Sequence, residues 1–185
     1  MSVVKMKQSP AKKKLTTHRM VMSGVFGAIC IALGVTGLGF IPVPNLAGYA
    51  TILHIPVIIA GALEGPLVGA LTGLIMGIYS LLTPSAIPPD PIVCVLPRIL
   101  IGIVSAFVYK WTHQRFPRFG AALTGLFGTL TNTLGFVGLA VLFGYLPAAV
   151  WITIVPQALV ELVLAMVLTV VLTRTIERAV PRYRS

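Results

Sequence analysis

Four polar side chains interrupt the apolar second half of this chain. Arg98 lies in IVCVLPRILIGIV, directly after a proline, and Asn132 lies in GTLTNTLGF. Gln157 and Glu161 are four residues apart, a spacing that puts both on one face of a helix. A guanidinium offers five donors in a fixed fork that suits a carboxylate or phosphate, and amides bind hydroxyls and other amides. Together these side chains could bind a small polar anion.

Arg98 has two interpretations. A charged residue within an apolar span costs at least about 2.5 to 3.5 kcal/mol on insertion scales, so it needs a partner. Arg98 could form a buried ion pair with Glu161, while Asn132 and Gln157 tie helices together. It could instead face a pocket open to the outside and bind an anionic group there, which we favour because intramembrane ionisable groups usually face a cavity. Both interpretations hold if the ion pair between Arg98 and Glu161 loosens when a ligand binds.

The other candidate residues give weaker signals. His54 has no second metal-type ligand at helical spacing, so we expect a hydrogen-bonded structural histidine or part of a pocket wall, and no metal site. Cys30 and Cys94 have no CxxC spacing and are expected to be small buried hydrophobic residues. No GxxxxGKS/T, HExxH or GxSxG motif is present in the sequence, so we expect neither P-loop ATP binding nor enzyme activity.

Membrane-spanning helices must position these residues. Of the 185 residues, 57% are hydrophobic and only 10% are charged, which is too little charge to cover a soluble domain. Apolar segments of about 20 residues follow one another with proline-rich breaks between them. We therefore predict an all-α membrane protein, a compact bundle of six transmembrane helices. The predicted spans are 20–41, 47–63, 65–83, 92–111, 119–144 and 147–174.

The basic residues predict the orientation. All of them except Arg98 lie before the first span, between the fourth and fifth spans, or after the sixth. The positive-inside rule places these regions in the cytoplasm, together with both termini. The net charge of +10 is thus a topology signal, and no nucleic-acid-binding motif accompanies it. The expected parts are a basic cytoplasmic tail at 1–19, one transmembrane domain at 20–176, and a basic cytoplasmic C-terminal tail at 177–185.

Small residues recur every four positions in two places, a pattern that allows helices to approach closely. We expect the stripe around the third span to pack against another helix of the bundle, with Glu64 solvated in the turn beside it. Its members are Gly61, Gly65, Gly69, Gly73 and Gly77. The small face of the first span could pack within the bundle or receive another subunit. Its members are Gly24, Ala28 and Ala32.

The chain resembles the substrate-binding S component of an energy-coupling factor (ECF) transporter, a type that imports vitamins. The small size, the six spans, the basic N-terminal tail, the A-x-x-x-A of Ala28 and Ala32 and the short second span after a proline-rich loop match nearly the whole length. The segments ATILHIPVIIAG, DPIVCVLPRILIG and GTLTNTLGF, in this order, are similar to the branch that includes pantothenate-type proteins.

This resemblance implies partners and a mechanism. The partners would be a transmembrane T component and two cytoplasmic ATPases, which would use the ATP and Mg²⁺, with no cofactor in this chain. The small face of the first span would dock on the T component. The S component would topple in the plasma membrane of a prokaryote and carry its vitamin inward. The expected substrate-binding residues are Asn45, Tyr49, His54, Arg98, Asn132, Trp151, Gln157 and Glu161.

Pantothenate is the substrate that these residues suit best. Its carboxylate suits Arg98, and its hydroxyls and amide suit Asn45, Asn132 and Gln157. Glu161 would bind a hydroxyl or neutralise part of the charge of Arg98. The alternative substrates are cobalamin, folate, riboflavin and thiamine precursors, although the scarcity of aromatic residues argues against large flat rings.

Two other functions remain open from the sequence. The chain could be a self-sufficient secondary transporter or channel for a small anionic solute, in which Arg98 and Glu161 gate ion coupling. It could also be a membrane enzyme or assembly factor with a site around His54 and Glu161, although no spacing in the sequence supports catalysis.

Overall fold

The structure is a computed structural model that describes residues 16–42, 49–83, 88–116 and 119–180. Within these ranges the chain forms six α-helices and two short β-strands. The elements are α1 Thr17–Val35, β1 Phe40–Pro42, β2 Tyr49–Thr51, α2 Ile55–Glu64, α3 Pro66–Leu82, α4 Pro91–Arg115, α5 Gly120–Leu142 and α6 Val150–Ala179.

The helices differ in length and in burial. Helices α1, α4, α5 and α6 are long and apolar enough to cross a membrane. Helix α2 has only 10 residues and α3 has 17. At a rise of 1.5 Å per residue, α2 covers about 15 Å, roughly half of a hydrocarbon core. The predicted helical bundle is confirmed, and four of its helices have the length and composition of membrane spans.

The prediction was wrong about the segment between the first two helices. α1 ends at Val35 and α2 begins at Ile55, whereas the predicted spans end at 41 and begin at 47. Gly37 turns the chain with a φ of 75°, and the chain then pairs as an antiparallel hairpin in which Phe40 lies opposite Thr51. Short apolar runs do not distinguish a strand from a buried helix. The bundle is therefore all-helical except for this hairpin.

The predicted glycine stripe packs closely against α4. A Cβ on Gly69 would lie 2.7 Å from the carbonyl oxygen of Gly102 and equally close to the Cα of Gly61. A Cβ on Gly61 would lie 2.3 Å from that same oxygen. Gly65 has a different use, because its φ of 93° makes the turn between α2 and α3. The stripe thus brings three helix backbones together, with Gly102 as a partner that the sequence analysis did not name.

Polar side-chain contacts join the ends of several helices. His18 Nε2 lies 3.1 Å and 3.2 Å from the two carboxylate oxygens of Glu64 at the end of α2. The hydroxyl of Tyr109 on α4 donates to Glu177 near the end of α6. The Glu64 side chain is only 3% exposed, so the expectation that it is solvated was wrong. The physical reason is that His18 reaches it from α1 and supplies the partner that a buried carboxylate needs.

Asp90 caps α4 and joins it to the connection between α5 and α6. Its Oδ1 accepts hydrogen bonds from the backbone N–H groups of Ile92 at 2.8 Å and Val93 at 3.3 Å. Its Oδ2 accepts from the Tyr145 hydroxyl at 2.9 Å. The Tyr145 bond first, and the backbone bonds after it, hold the pKa of Asp90 below its ordinary value, and the same bond raises the pKa of Tyr145.

We expect part of the thermal stability to depend on pH through Asp90. Because its folded pKa lies below the ordinary value of 3.8, its contribution is fully present above that value and is lost as the pH falls through the lowered pKa. The difference in melting temperature between the wild type and Asp90→Asn should therefore be constant from about pH 7 to about pH 5 and shrink below about pH 4. A difference that persists unchanged in acid would contradict this assignment.

Candidate functional site

A pocket lies among α4, α5 and α6 where β2 meets α6. Its cavity volume is about 160 Å³. The lining residues are Thr51, Arg98, Asn132, Thr133, Phe136, Val137, Ile154, Gln157 and Glu161.

The structure brings four of the predicted site residues together in this lining. Arg98 comes from α4, Asn132 from α5, and Gln157 and Glu161 from α6. Arg98, Asn132 and Glu161 are each at least nine-tenths buried. Their convergence is a structural fact, while their role in binding a substrate stays a prediction.

The other predicted site residues are not in the lining. His54 caps α2, is 1% exposed, and its Nε2 lies 2.9 Å from the Thr129 hydroxyl, as expected of a structural histidine. Trp151 lies in the first turn of α6 and is half-buried, and the lining does not include it. Asn45 and the side chain of Tyr49 lie outside the described residues, so their predicted roles stay untested.

One oxygen of Glu161 ties the hairpin to α6. Its Oε1 accepts from the Thr51 backbone N–H at 2.7 Å, from the Thr51 hydroxyl at 3.2 Å and from Gln157 Nε2 at 3.1 Å. The last bond sets the orientation of the Gln157 amide, because the reversed amide would place its oxygen against the carboxylate. The amide oxygen of Gln157 is then buried with no partner among the described residues.

Arg98 lies in the pocket and makes no ion pair with any residue that the structure describes. It is 7% exposed, and its Nε and Nη1 have no hydrogen-bond partner within the described ranges. Its guanidinium carbon lies 4.3 Å from the centre of the Phe136 ring, a cation–π contact. Among the described residues, no salt bridge joins Arg98 to Glu161, whose Oε1 is engaged by Thr51 and Gln157. Arg98 and Glu161 thus line one pocket without forming the predicted ion pair, and the binding of a ligand by Arg98 stays a prediction.

The unpartnered atoms of the pocket define a complementary ligand. Arg98 presents donors, whereas Gln157 Oε1 and Asn132 Oδ1 are buried acceptors without partners. A buried polar group that lacks a hydrogen bond costs about 1 to 3 kcal/mol, which a ligand that supplies the partner recovers. The arrangement suits a molecule with an anionic group near Arg98 and with hydroxyl or amide donors near the two amides.

Comparison with known sequences identifies the family. Residues 18–173 match the family described as ECF transporter, substrate-specific component. This chain belongs to that family. The Pantothenic acid transporter PanT of Lactococcus lactis subsp. cremoris (strain MG1363) is 30% identical to this S component over 143 residues, covering 66% of this chain and 71% of PanT. The family resemblance predicted from the sequence is thus confirmed.

The sequence analysis of this S component missed five lining residues. Phe136 follows Asn132 by four positions, so helical spacing from Asn132 could have found it, whereas Val137 at five positions lies off that face. Thr51 gave no such signal, because 110 positions separate it from Glu161. The remaining two are Thr133 and Ile154.

The small-residue face of α1 points away from the bundle of this S component. Its residues lie opposite the buried side of α1, which carries Phe26 and Cys30. A Cβ on Gly24 would meet no atom within 4 Å. Of the two interpretations of this face, packing within the bundle is therefore wrong. The exposed members are Gly24, Ala28 and Ala32.

Proposed function

We propose that this S component captures pantothenate from outside the cell for an ECF-type importer. The observation that carries the proposal is Arg98, buried in the pocket with unpartnered Nε and Nη1 beside the unpartnered amide oxygens of Asn132 and Gln157. Pantothenate has one carboxylate, one amide and two hydroxyls, so it could satisfy both kinds of group. The similarity to PanT, which is named as a pantothenic acid transporter, supports this choice.

The proposal includes an orientation and a transport cycle. The positive-inside rule places both termini and the basic connection after α4 in the cytoplasm of a prokaryote. Arg98 then lies seven residues into α4 from its outer end, about 10 Å deep. The exposed small face of α1 docks on a T component, and the S component topples to deliver its substrate. Two partner ATPases supply the energy through ATP and Mg²⁺.

The direct test separates this function from that of a self-sufficient transporter or channel. The purified chain in lipid nanodiscs should bind labelled pantothenate alone, and mass spectrometry should find the same molecule in protein purified without added ligand. Vesicles that contain only this chain should show no uptake, whereas vesicles that also contain the T component and both ATPases should take up pantothenate when ATP is supplied. Gradient-driven uptake by the lone chain would overturn the proposal.

The lining residues of the pocket also help to distinguish pantothenate from the alternative vitamins. Among the described lining residues the aromatic one is Phe136, and Arg98 already lies over its ring. Large flat rings such as those of riboflavin and folate usually bind by stacking on aromatic faces. Neither these compounds nor cobalamin nor a thiamine precursor should displace labelled pantothenate, and displacement by one of them would change the substrate assignment.

Glu161→Gln should reveal the charge of the ligand. The substitution removes the negative charge near Arg98, while the new amide oxygen still accepts from the Thr51 N–H. Pantothenate should therefore bind roughly two- to tenfold more tightly, because the pocket becomes more positive. Gln157→Glu changes the charge in the opposite direction and should weaken binding. Equilibrium titrations of both variants provide the measurement, and weaker binding by Glu161→Gln would argue against an anionic substrate.

A further inference from the structure

The Pro97–Arg98 step of α4 is held between two glycines from different helices. A Cβ on Gly73 of α3 would lie 2.1 Å from the carbonyl oxygen of Arg98 and 2.6 Å from its carbonyl carbon. A Cβ on Gly135 of α5 would lie 2.9 Å from the Cβ of Pro97. All three separations are far inside van der Waals contact. Only hydrogen-sized side chains at these two positions allow α4 to lie where it does.

Helix α4 is least able to fix its own geometry at this step. Pro97 has no N–H group, so the carbonyl of Val93 lacks its usual helical donor. A helix that lacks an internal hydrogen bond bends more readily, and its neighbours then set the local geometry. The neighbours at this point are Gly73 on one side and Gly135 on the other.

The same contacts determine the position of the Arg98 guanidinium. Gly135 directly precedes Phe136, whose ring centre lies 4.3 Å from the Arg98 guanidinium carbon. The distance between α4 and α5 at Pro97 therefore also sets the cation–π distance. Gly73 contacts the main chain of Arg98 itself. A larger residue at position 73 would therefore shift the Arg98 backbone and move its side chain with it.

We propose that Gly73 and Gly135 are positioning residues that hold Arg98 where it recognises an anionic group. The inference rests on the proposed function, because the anionic group is taken to be the carboxylate of pantothenate. Charge-assisted contacts to a planar carboxylate depend on placement within about 0.5 Å. A shift of α4 should therefore reduce recognition of the carboxylate more than recognition of the rest of the ligand.

The test compares pantothenate with panthenol, the neutral analogue that carries a hydroxymethyl group in place of the carboxylate. Gly73→Ala and Gly135→Ala should each lower the preference for pantothenate over panthenol by about tenfold or more. Gly138→Ala is the matched control, because it lies on α5 one turn beyond Gly135 and its Cβ would meet no atom within 4 Å. The control should keep the wild-type preference.

The outcomes separate the inference from the proposed function. If the affinities for pantothenate and panthenol fall by the same factor in both variants, or do not change, the two glycines only pack helices and the inference is wrong. If the wild type binds no pantothenate, the proposed function is wrong instead. Gly135→Ala keeps the test available should Gly73→Ala fail to fold, because its clash is with the Pro97 side chain rather than with a backbone carbonyl.

Discussion

Replacing Arg98 with methionine should weaken pantothenate binding by about 100-fold or more, because the substrate carboxylate would be buried without its charged partner. Among the described lining residues Arg98 is the cationic one, and its Nε and Nη1 have no partner in that part of the chain. Equilibrium binding to the purified protein in nanodiscs measures the effect. The affinity of the same variant for panthenol, which lacks the carboxylate, should fall much less.

The same substitution should not lower the melting temperature of the ligand-free protein. Arg98 is buried without a salt bridge to Glu161, so methionine removes a poorly compensated charge and keeps most of the volume. Lys110→Met is the matched control, since it removes one positive charge from an exposed position on the same helix and should leave binding unchanged. Unchanged affinity together with a lower melting temperature would show that Arg98 is structural.

Introducing tryptophan at Ala28 or Ala32 should reduce uptake to the background of vesicles without the S component, while pantothenate binding by the isolated chain stays unchanged. Both alanines are exposed on the side of α1 opposite its buried face, so a large side chain there leaves the pocket intact. Small residues allow two helices to approach closely within a membrane, and one indole ring at the contact prevents this approach.

The matched control for docking is Val163→Trp. Val163 is 56% exposed on α6, so this variant adds the same ring to an outward-facing position away from the proposed docking face. It should retain both binding and uptake in vesicles that also contain the T component and the ATPases. Normal uptake by Ala28→Trp and Ala32→Trp would rule out docking through this face.

The sequence predicts the helices of the pocket better than the contacts within it. Charged and amide side chains are rare in apolar spans, so Arg98, Asn132 and Glu161 stand out and helical spacing adds Gln157. Coulomb attraction alone also predicts a pair between Arg98 and Glu161. The structure shows no salt bridge between them; the Thr51 N–H and hydroxyl bind Oε1 of Glu161 instead.

Contacts between distant parts of the chain explain the other errors. The hairpin depends on Phe40 pairing with Thr51, and apolar composition is equally compatible with helix there. The burial of Glu64 depends on His18, which lies 46 positions away on another helix. The local sequence pattern indicates which residues share a face of a helix. The contacts of Phe40 with Thr51 and of His18 with Glu64 depend instead on tertiary packing.

The short helix α2 has an electrostatic consequence for the pocket. Its residues from Ile55 to Gly61 are all buried, so its length is set by the bundle rather than by the bilayer. It begins four residues after Thr51, which lines the pocket, so its first turn lies inside the protein. The N-terminus of a helix carries about half a positive charge, and a low-dielectric interior screens this charge poorly. We expect the positive N-terminus of α2 to add to the field of Arg98, so that some attraction for anions survives Arg98→Met.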